Sequence, residues 1–200
     1  MAYSRKDFSK KGSNKRGCIA ASKGRSHSKR HRLSDWKWGK CETLDSIEVD
    51  PNDDDTLRYI ASKVYNEIRS LHSKPGNRFA EFGAIFYSLY WIAEARHLIL
   101  FKDSKGRNVG VLAYDVVTPW YTRRTGFEEL FVLGLDPSFY GFGRIALKYM
   151  KKRAKGIGCA LMETGASMTD KPKMIENLYK RHGKCDFTYP CFVWVLPNAR

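Results

Sequence analysis

Between Asp53 and Leu71 the apolar positions are Leu57, Ile60, Ala61, Val64, Tyr65, Ile68 and Leu71, the three- and four-residue spacing of one helical face. Three acids, Asp53 to Asp55, open the stretch with the charge a helix N-terminus favours, and "KPGN" ends it. A more uniformly apolar stretch predicts a second helix from Arg78 to about Trp91. The pattern then shortens. "HLILFKD" and "NVGVLAYDVV" flank "SKGR" and predict a hairpin, and "GFEELFVLGLD" predicts the next strand. In "GFGRIALKYMKKRAKG" the residues Phe142, Ile145, Ala146, Tyr149, Met150 and Ala154 return to helical register. "CALMET" reads as a strand, "PKMIENLYKRHG" as a short helix, and "CDFTYPCFVWVL" as a closing strand pair interrupted by Pro190. With "TLDSIEVDP" as a first short strand, the order is β-α-α-β-β-β-α-β-α-β-β. That order predicts an α/β fold over residues 44–200, a mixed central sheet with helices on both faces.

Residues 1–43 lack this patterning. The formal net charge of the chain is +15, and residues 1–40 carry 13 Lys/Arg against only Asp7 and Asp35. The other 160 residues hold 23 basic and 19 acidic side chains, so most of the excess sits in one fifth of the chain. A segment so rich in Ser, Gly, Lys and Arg buries too little apolar surface to offset its ordering entropy, and a disordered arm is expected. The arm's chemistry suits nucleic acid, or an acidic protein, as partner, because each phosphate it neutralises releases a counterion; a merely solubilising arm is the bland alternative. Trp36 and Trp38 at its end suit either base stacking or packing on the domain.

No apolar run approaches the ~20 residues that span a bilayer, and the N-terminus has no apolar signal region, so a cytoplasmic protein without membrane contact is expected. The five cysteines are an odd number, which predicts reduced thiols. Cys18, His27, His31 and Cys41 have no familiar zinc spacing, and no metal is expected.

The candidate chemistry lies at "DPSFYGFGRIALKYM", where a strand runs through a glycine-broken turn into a helix. Amides at such a helix start, together with its dipole, favour phosphate. The same composition also serves a plain strand-to-helix turn. Together, "EELFVLGLDPSFYGFGRIAL", "GCALMET" and "NLYKRHGKCDF" resemble the fourth strand with its pyrophosphate loop, the fifth strand and the late helix of the GNAT superfamily of acyl-CoA-dependent N-acyltransferases. The resemblance spans residues 44 to 196, and "GVLAYDVVTPWY" is similar to GNAT-like proteins of bacteriophages.

The resemblance implies acetyl-CoA as acyl donor and an amine as acceptor. It implies splayed fourth and fifth strands, with pantetheine on backbone groups around Leu133 to Leu135. The pyrophosphate would lie on the loop of Tyr140, Gly141, Phe142, Gly143, Arg144 and Ile145. By position, Glu129 (or Glu128) is implied as the base and Tyr179 as the acid. Alternation lets only one of the two glutamates face the cleft, and Tyr179 equally suits a core aromatic. The loop departs from the family's Arg/Gln-x-x-Gly-x-Gly/Ala: only Gly143 falls at a required position, with Tyr140 at the first and Ile145 at the last.

Two functions are therefore expected to compete. One is an N-acetyltransferase whose arm docks nucleic acid or an acidic partner. The other is an inactive GNAT-fold protein of a phage virion, structural or packaging, which binds nucleic acid or other virion proteins and resides in the host cytoplasm or the virion.

Overall fold

The computed structural model describes residues 44–71, 80–165 and 171–185. The basic arm, with Cys18, His27, His31 and Cys41, and all of the predicted closing strand pair after Cys185 lie outside them. Five strands form one sheet in sequential order: β1 (Asp45–Glu48), β2 (Leu98–Lys102), β3 (Asn108–Val117), β4 (Gly126–Gly134) and β5 (Leu161–Glu163). Neighbours are antiparallel except β4 and β5, which run parallel. The parallel pair requires a crossover, and α3 (Phe142–Ile157) supplies it.

Helix α1 (Asp54–Ser70) starts where the acids predict. The Asp53 carboxylate accepts the Thr56 amide at 3.0 Å, a cap contributing about 1 kcal/mol. Leu57, Ile60, Ala61 and Val64 are buried, as their spacing requires. Helix α2 spans Phe82–Glu94, beginning later and ending later than the apolar stretch predicts. Its first turn has neither a side-chain cap nor an acid, so no local signal marks where it begins.

The β2–β3 hairpin turns at "SKGR" around a buried carboxylate. Asp103 accepts the Lys105 and Arg107 amides at 2.9 Å each and Arg107 Nε at 2.7 Å, while Gly106 takes a left-handed φ of 75°. These bonds, led by the Arg107 amide, hold the Asp103 carboxyl below its ordinary pKa.

The sheet separates two cores. Helices α1 and α2 cover one face over Leu98, Leu100, Val111, Ala113 and Phe131. Helix α3 covers the other over Ile99, Phe101, Leu112, Tyr114 and Phe127. This is the two-faced α/β arrangement the order of elements predicts. A short helix α4 (Pro172–Leu178) runs into a π-helical turn (Tyr179–Gly183) beside α3, where the Lys151 ammonium donates to the Gly183 carbonyl. Among the described residues, no helix is long and apolar enough to cross a membrane.

Helix α3 approaches the sheet so closely that β3 needs a glycine. A Cβ at Gly110 would lie 2.3 Å from the Phe142 ring. Gly110→Ala is expected to lower unfolding free energy by about 1–3 kcal/mol through overpacking. Pairing it with Phe142→Leu should recover part of that loss in urea titrations, whereas additive losses would refute the contact.

Candidate active site at the splay of two strands

Strands β4 and β5 pair only at Gly126↔Leu161, Phe127↔Met162 and Glu128↔Glu163. Beyond Glu128 the sheet opens, and β4 continues to Gly134 paired with β3 alone among the described strands. Just past this point β4 carries an extra residue. Tyr114 pairs with Glu129 and Ala113 with Phe131, so Leu130 is bulged out. Glu129 therefore shares the α3 face with Tyr114, while Phe131 joins the opposite core.

Alternation from buried Phe127, together with the splay, decides which glutamate reaches the cleft. Glu129 is half-buried, and the Tyr179 hydroxyl donates to its Oε2 at 2.5 Å. Glu128 is exposed on the other face, in a cross-strand row with Asp115 and Glu163. Tyr179 stands at the junction of α4 and the π-helical turn, a wider coil that often occurs at functional sites. It packs against the α3-side core as well as reaching the carboxylate, so the core-aromatic and polar readings describe two ends of one side chain.

Two further groups complete the constellation. The Gly165 amide donates to Glu129, and Thr164 hydrogen-bonds the Tyr179 hydroxyl. The sequence reading gives neither residue a role in the site, though Thr164 ends the predicted strand "CALMET". Their only signal is a Thr-Gly pair just past the C-terminal end of a parallel strand, where α/β sheets gather ligand-facing groups.

Burial pushes the Glu129 carboxyl up from 4.5 to about 7, against the opposing bonds from Tyr179 and Gly165. The Tyr179 phenol is also raised, first by burial and then by the neighbouring Glu129 charge. Glu129 thus sits where a general base for neutral pH belongs, and Tyr179 holds its proton firmly.

The strand edge bears on the implied donor stretch. The Leu135 amide donates to the Val109 carbonyl at 2.8 Å, so Val111 and Leu133 exchange bonds as the next pair. Alternation then turns the backbone groups of Val132 and Gly134, rather than those of Leu133 or Leu135, towards the open edge. The Leu135 side chain is buried in the α1–α2 core, and Leu133 packs against it.

The loop that follows is shaped by its own contacts. Asp136 accepts the Ser138 amide at 2.8 Å and its hydroxyl at 2.6 Å, and Gly141 enters α3 with φ 91°. Phe142 is buried against Phe101, and Ile145 packs into the α3-side core. Tyr140 is exposed. Ile145 is therefore turned into the core rather than across the loop, and Phe142 has only its backbone to offer.

The chemistry of this cradle is compatible with the pyrophosphate of the acetyl-CoA that the resemblance implies. The first helical amides, at Phe142 and Gly143, are among those a helix leaves without an internal partner. The N-terminus has neither a side-chain cap nor an acid in its first turn. No atom lies within 4 Å of a Cβ built on Gly134 or Gly141, while the Gly143 position meets Leu178 of α4 at 3.0 Å. The open side of the cradle is thus at Gly141, and α4 closes the side at Gly143.

The raised Glu129 pKa has a stability consequence. The unfolded carboxyl ionises near 4.5 and the folded one near 7, so the folded state loses stability as pH rises between them and keeps that penalty above. Glu129→Gln should raise unfolding free energy at pH 8, by about 3 kcal/mol at most, and leave it nearly unchanged at pH 4. Equal effects at both pH values in chemical denaturation would exclude the buried-acid assignment.

The chain matches no protein-family model and no curated protein. Solved structures are similar to it. An aminoglycoside acetyltransferase from an uncultured soil metagenomic sample aligns with a TM-score of 0.53 at 15% identity, over 77% of this chain and 99% of its own. A possible acetyltransferase from Clostridium difficile 630 aligns at 0.55 and 12% identity, over 78% and 100%. A probable acetyltransferase aligns at 0.55 and 9% identity, over 78% and 99%. With the splayed strands, the two-faced sheet and the crossover helix, these likenesses establish that the chain has the GNAT acetyltransferase fold.

Proposed function

We propose that the chain is an N-acyltransferase that moves an acetyl group from acetyl-CoA to an amine, with Glu129 and Tyr179 as base and acid. The observation carrying this reading is the 2.5 Å hydrogen bond from Tyr179 to Glu129 at the mouth of the strand splay. The amides of Phe142 and Gly143, with the Val132 and Gly134 edge, would hold the donor, which supplies a thioester-activated acyl group.

The direct bond makes the proton inventory compact. Ionised Glu129 accepts a proton from the acceptor ammonium and leaves a nucleophilic amine. Tyr179 gives its hydroxyl proton to the departing sulfur. The protonated Glu129 then returns a proton to the Tyr179 oxygen across the bond they share, so the pair regains its starting state, while the second proton of the attacking nitrogen leaves to solvent as the amide forms. A base with a pKa of about 7 is half ionised at neutrality, close to the optimum for such a transfer. Thr164 and Gly165 keep the two groups aligned.

One observation favours a second reading, in which the fold packs without chemistry, as in a structural or packaging protein of a virion. Leu178 lies against Gly143, narrowing the cradle from the α4 side. Acetyl-CoA binding separates the two. At a hundredfold excess over its dissociation constant, the donor should stabilise the full chain by about 2.7 kcal/mol. No thermal shift up to millimolar acetyl-CoA would select the non-catalytic reading.

With an amine acceptor in hand, kcat/KM is expected to rise with pH through about 7 and then level, because only ionised Glu129 accepts a proton. Glu129→Gln should remove that rise and slow turnover by roughly 10²–10⁴-fold. Tyr179→Phe should slow turnover while leaving donor binding intact. A pH profile identical in wild type and Glu129→Gln would remove Glu129 from the base role.

A further inference from the structure

Helix α3 carries six cations and no acid: Arg144, Lys148, Lys151, Lys152, Arg153 and Lys155. Its apolar face is fully used, with Phe142, Ala146, Leu147, Met150 and Ala154 buried. Two of the cations have inward work. Arg153 donates to the Tyr114 hydroxyl at 3.0 Å and to Glu48 at 3.2 Å, and Lys151 ties the π-helical turn to α3. Lys148, Lys152 and Lys155, at spacings of four and three, line the outer face and are exposed. Among the described residues, none of these three pairs with a carboxylate. The Lys151 contact also brings exposed Arg181 and Lys184 to the flank of the helix. Glu176, the one acid of α4 and the following turn, is already bonded to Lys180.

We propose that this ridge is a second nucleic-acid contact surface, on the folded domain itself and separate from the basic arm, which grips the phosphate backbone without reading sequence. Four arguments select this occupant. Cations recurring at each turn along a helix complement a line of phosphates, and each contact is rewarded by counterion release. A pyrophosphate at the α3 N-terminus does not account for the ridge, because Lys155 lies roughly 20 Å along the helix axis from Phe142. A lipid surface is disfavoured because a membrane-lying helix needs an apolar face to bury, and that of α3 is committed to the sheet. The lysines also lie on a rigid helix rather than a loop, so their arrangement is set before any partner arrives. The proposal is independent of the acyl-transfer reading.

The test uses the full chain and a fluorescein-labelled 20-base-pair DNA duplex of arbitrary sequence, with anisotropy titrations from 50 to 300 mM salt. The triple variant Lys148→Gln/Lys152→Gln/Lys155→Gln should reduce the slope of log affinity against log salt by about 2–3, close to 0.9 per lost phosphate contact. Lys152→Gln alone should reduce it by about 0.9. Unchanged slopes in both variants would overturn the proposal and leave any binding to the arm, and so would failure of the wild-type chain to bind DNA at 50 mM salt. Competition by 1 mM acetyl-CoA would overturn it as well, by assigning the ridge to the acyl donor. So would lysine-dependent binding to phosphatidylserine vesicles tighter than binding to the duplex, by assigning it to a membrane.

Discussion

Among the described strands, β4 has two neighbours for its first three residues and one afterwards, and the site follows from that change. Pairing with β5 ends at Glu128↔Glu163, so the next residue, Glu129, stands where the sheet parts. The chain leaving β5 at Thr164 and Gly165 is no longer held in the ladder and turns its hydroxyl and amide onto Tyr179 and Glu129. The bulge at Leu130 completes the change. Were Leu130 paired in regular alternation, Phe131 would share Glu129's face, and an aromatic ring would leave the α1–α2 core for the cleft. The end of β5 pairing thus opens the sheet at the acid and leaves the backbone of Val132 and Gly134 at the edge, while the bulge keeps Phe131 in its core.

The acid so placed is in tension with the fold around it. Burial disfavours its charge more than the Tyr179 and Gly165 bonds restore it, which is why its pKa rises rather than falls. A structural carboxylate in the same protein shows the contrast. Asp103 also has little accessible surface, but burial weighs less there than the bonds from two backbone amides and the Arg107 guanidinium, which hold its pKa down. The hairpin carboxylate is provided with enough donors to remain charged; the cleft carboxylate is left short of them. That shortage lets a proton come and go near neutrality, and it is the physical difference between a group that fixes a turn and one suited to proton transfer.

Much of the scaffold is legible in the sequence because its signals are local and periodic. Asp53, the apolar stripe of α1, the "SKGR" turn and the stripe of α3 each act within a few residues of their own position. Glu129 and Tyr179 came from resemblance by position, and their contact spans 50 residues of chain, which no local pattern encodes. The bulge defeated strict alternation: a period of two along "GFEELFVLGLD" cannot show that Leu130 drops out of the ladder. For the same reason Leu133 and Leu135 stand in the sequence as edge candidates, when hydrogen-bond parity turns Val132 and Gly134 outward instead. Ile145 departs from the small residue at the family loop's last position, and the helical register of α3 turns it into the core.

Helix α3 serves two surfaces with incompatible preferences. Its inner face buries apolar side chains against the sheet, and that burial holds the helix in place whatever its outer face carries. Its outer face sets Lys148 four residues from Lys152 and Lys151 four from Lys155, like-charge spacings that each cost roughly 0.2–0.5 kcal/mol. No acid on the helix relieves them. A helix stabilised mainly by its own surface pairs would not tolerate this arrangement, but one anchored by Phe142, Leu147 and Met150 does. The packing therefore frees the outer residues from any structural duty, and the repulsion stored among them is lowered by whatever anion comes to lie along the ridge.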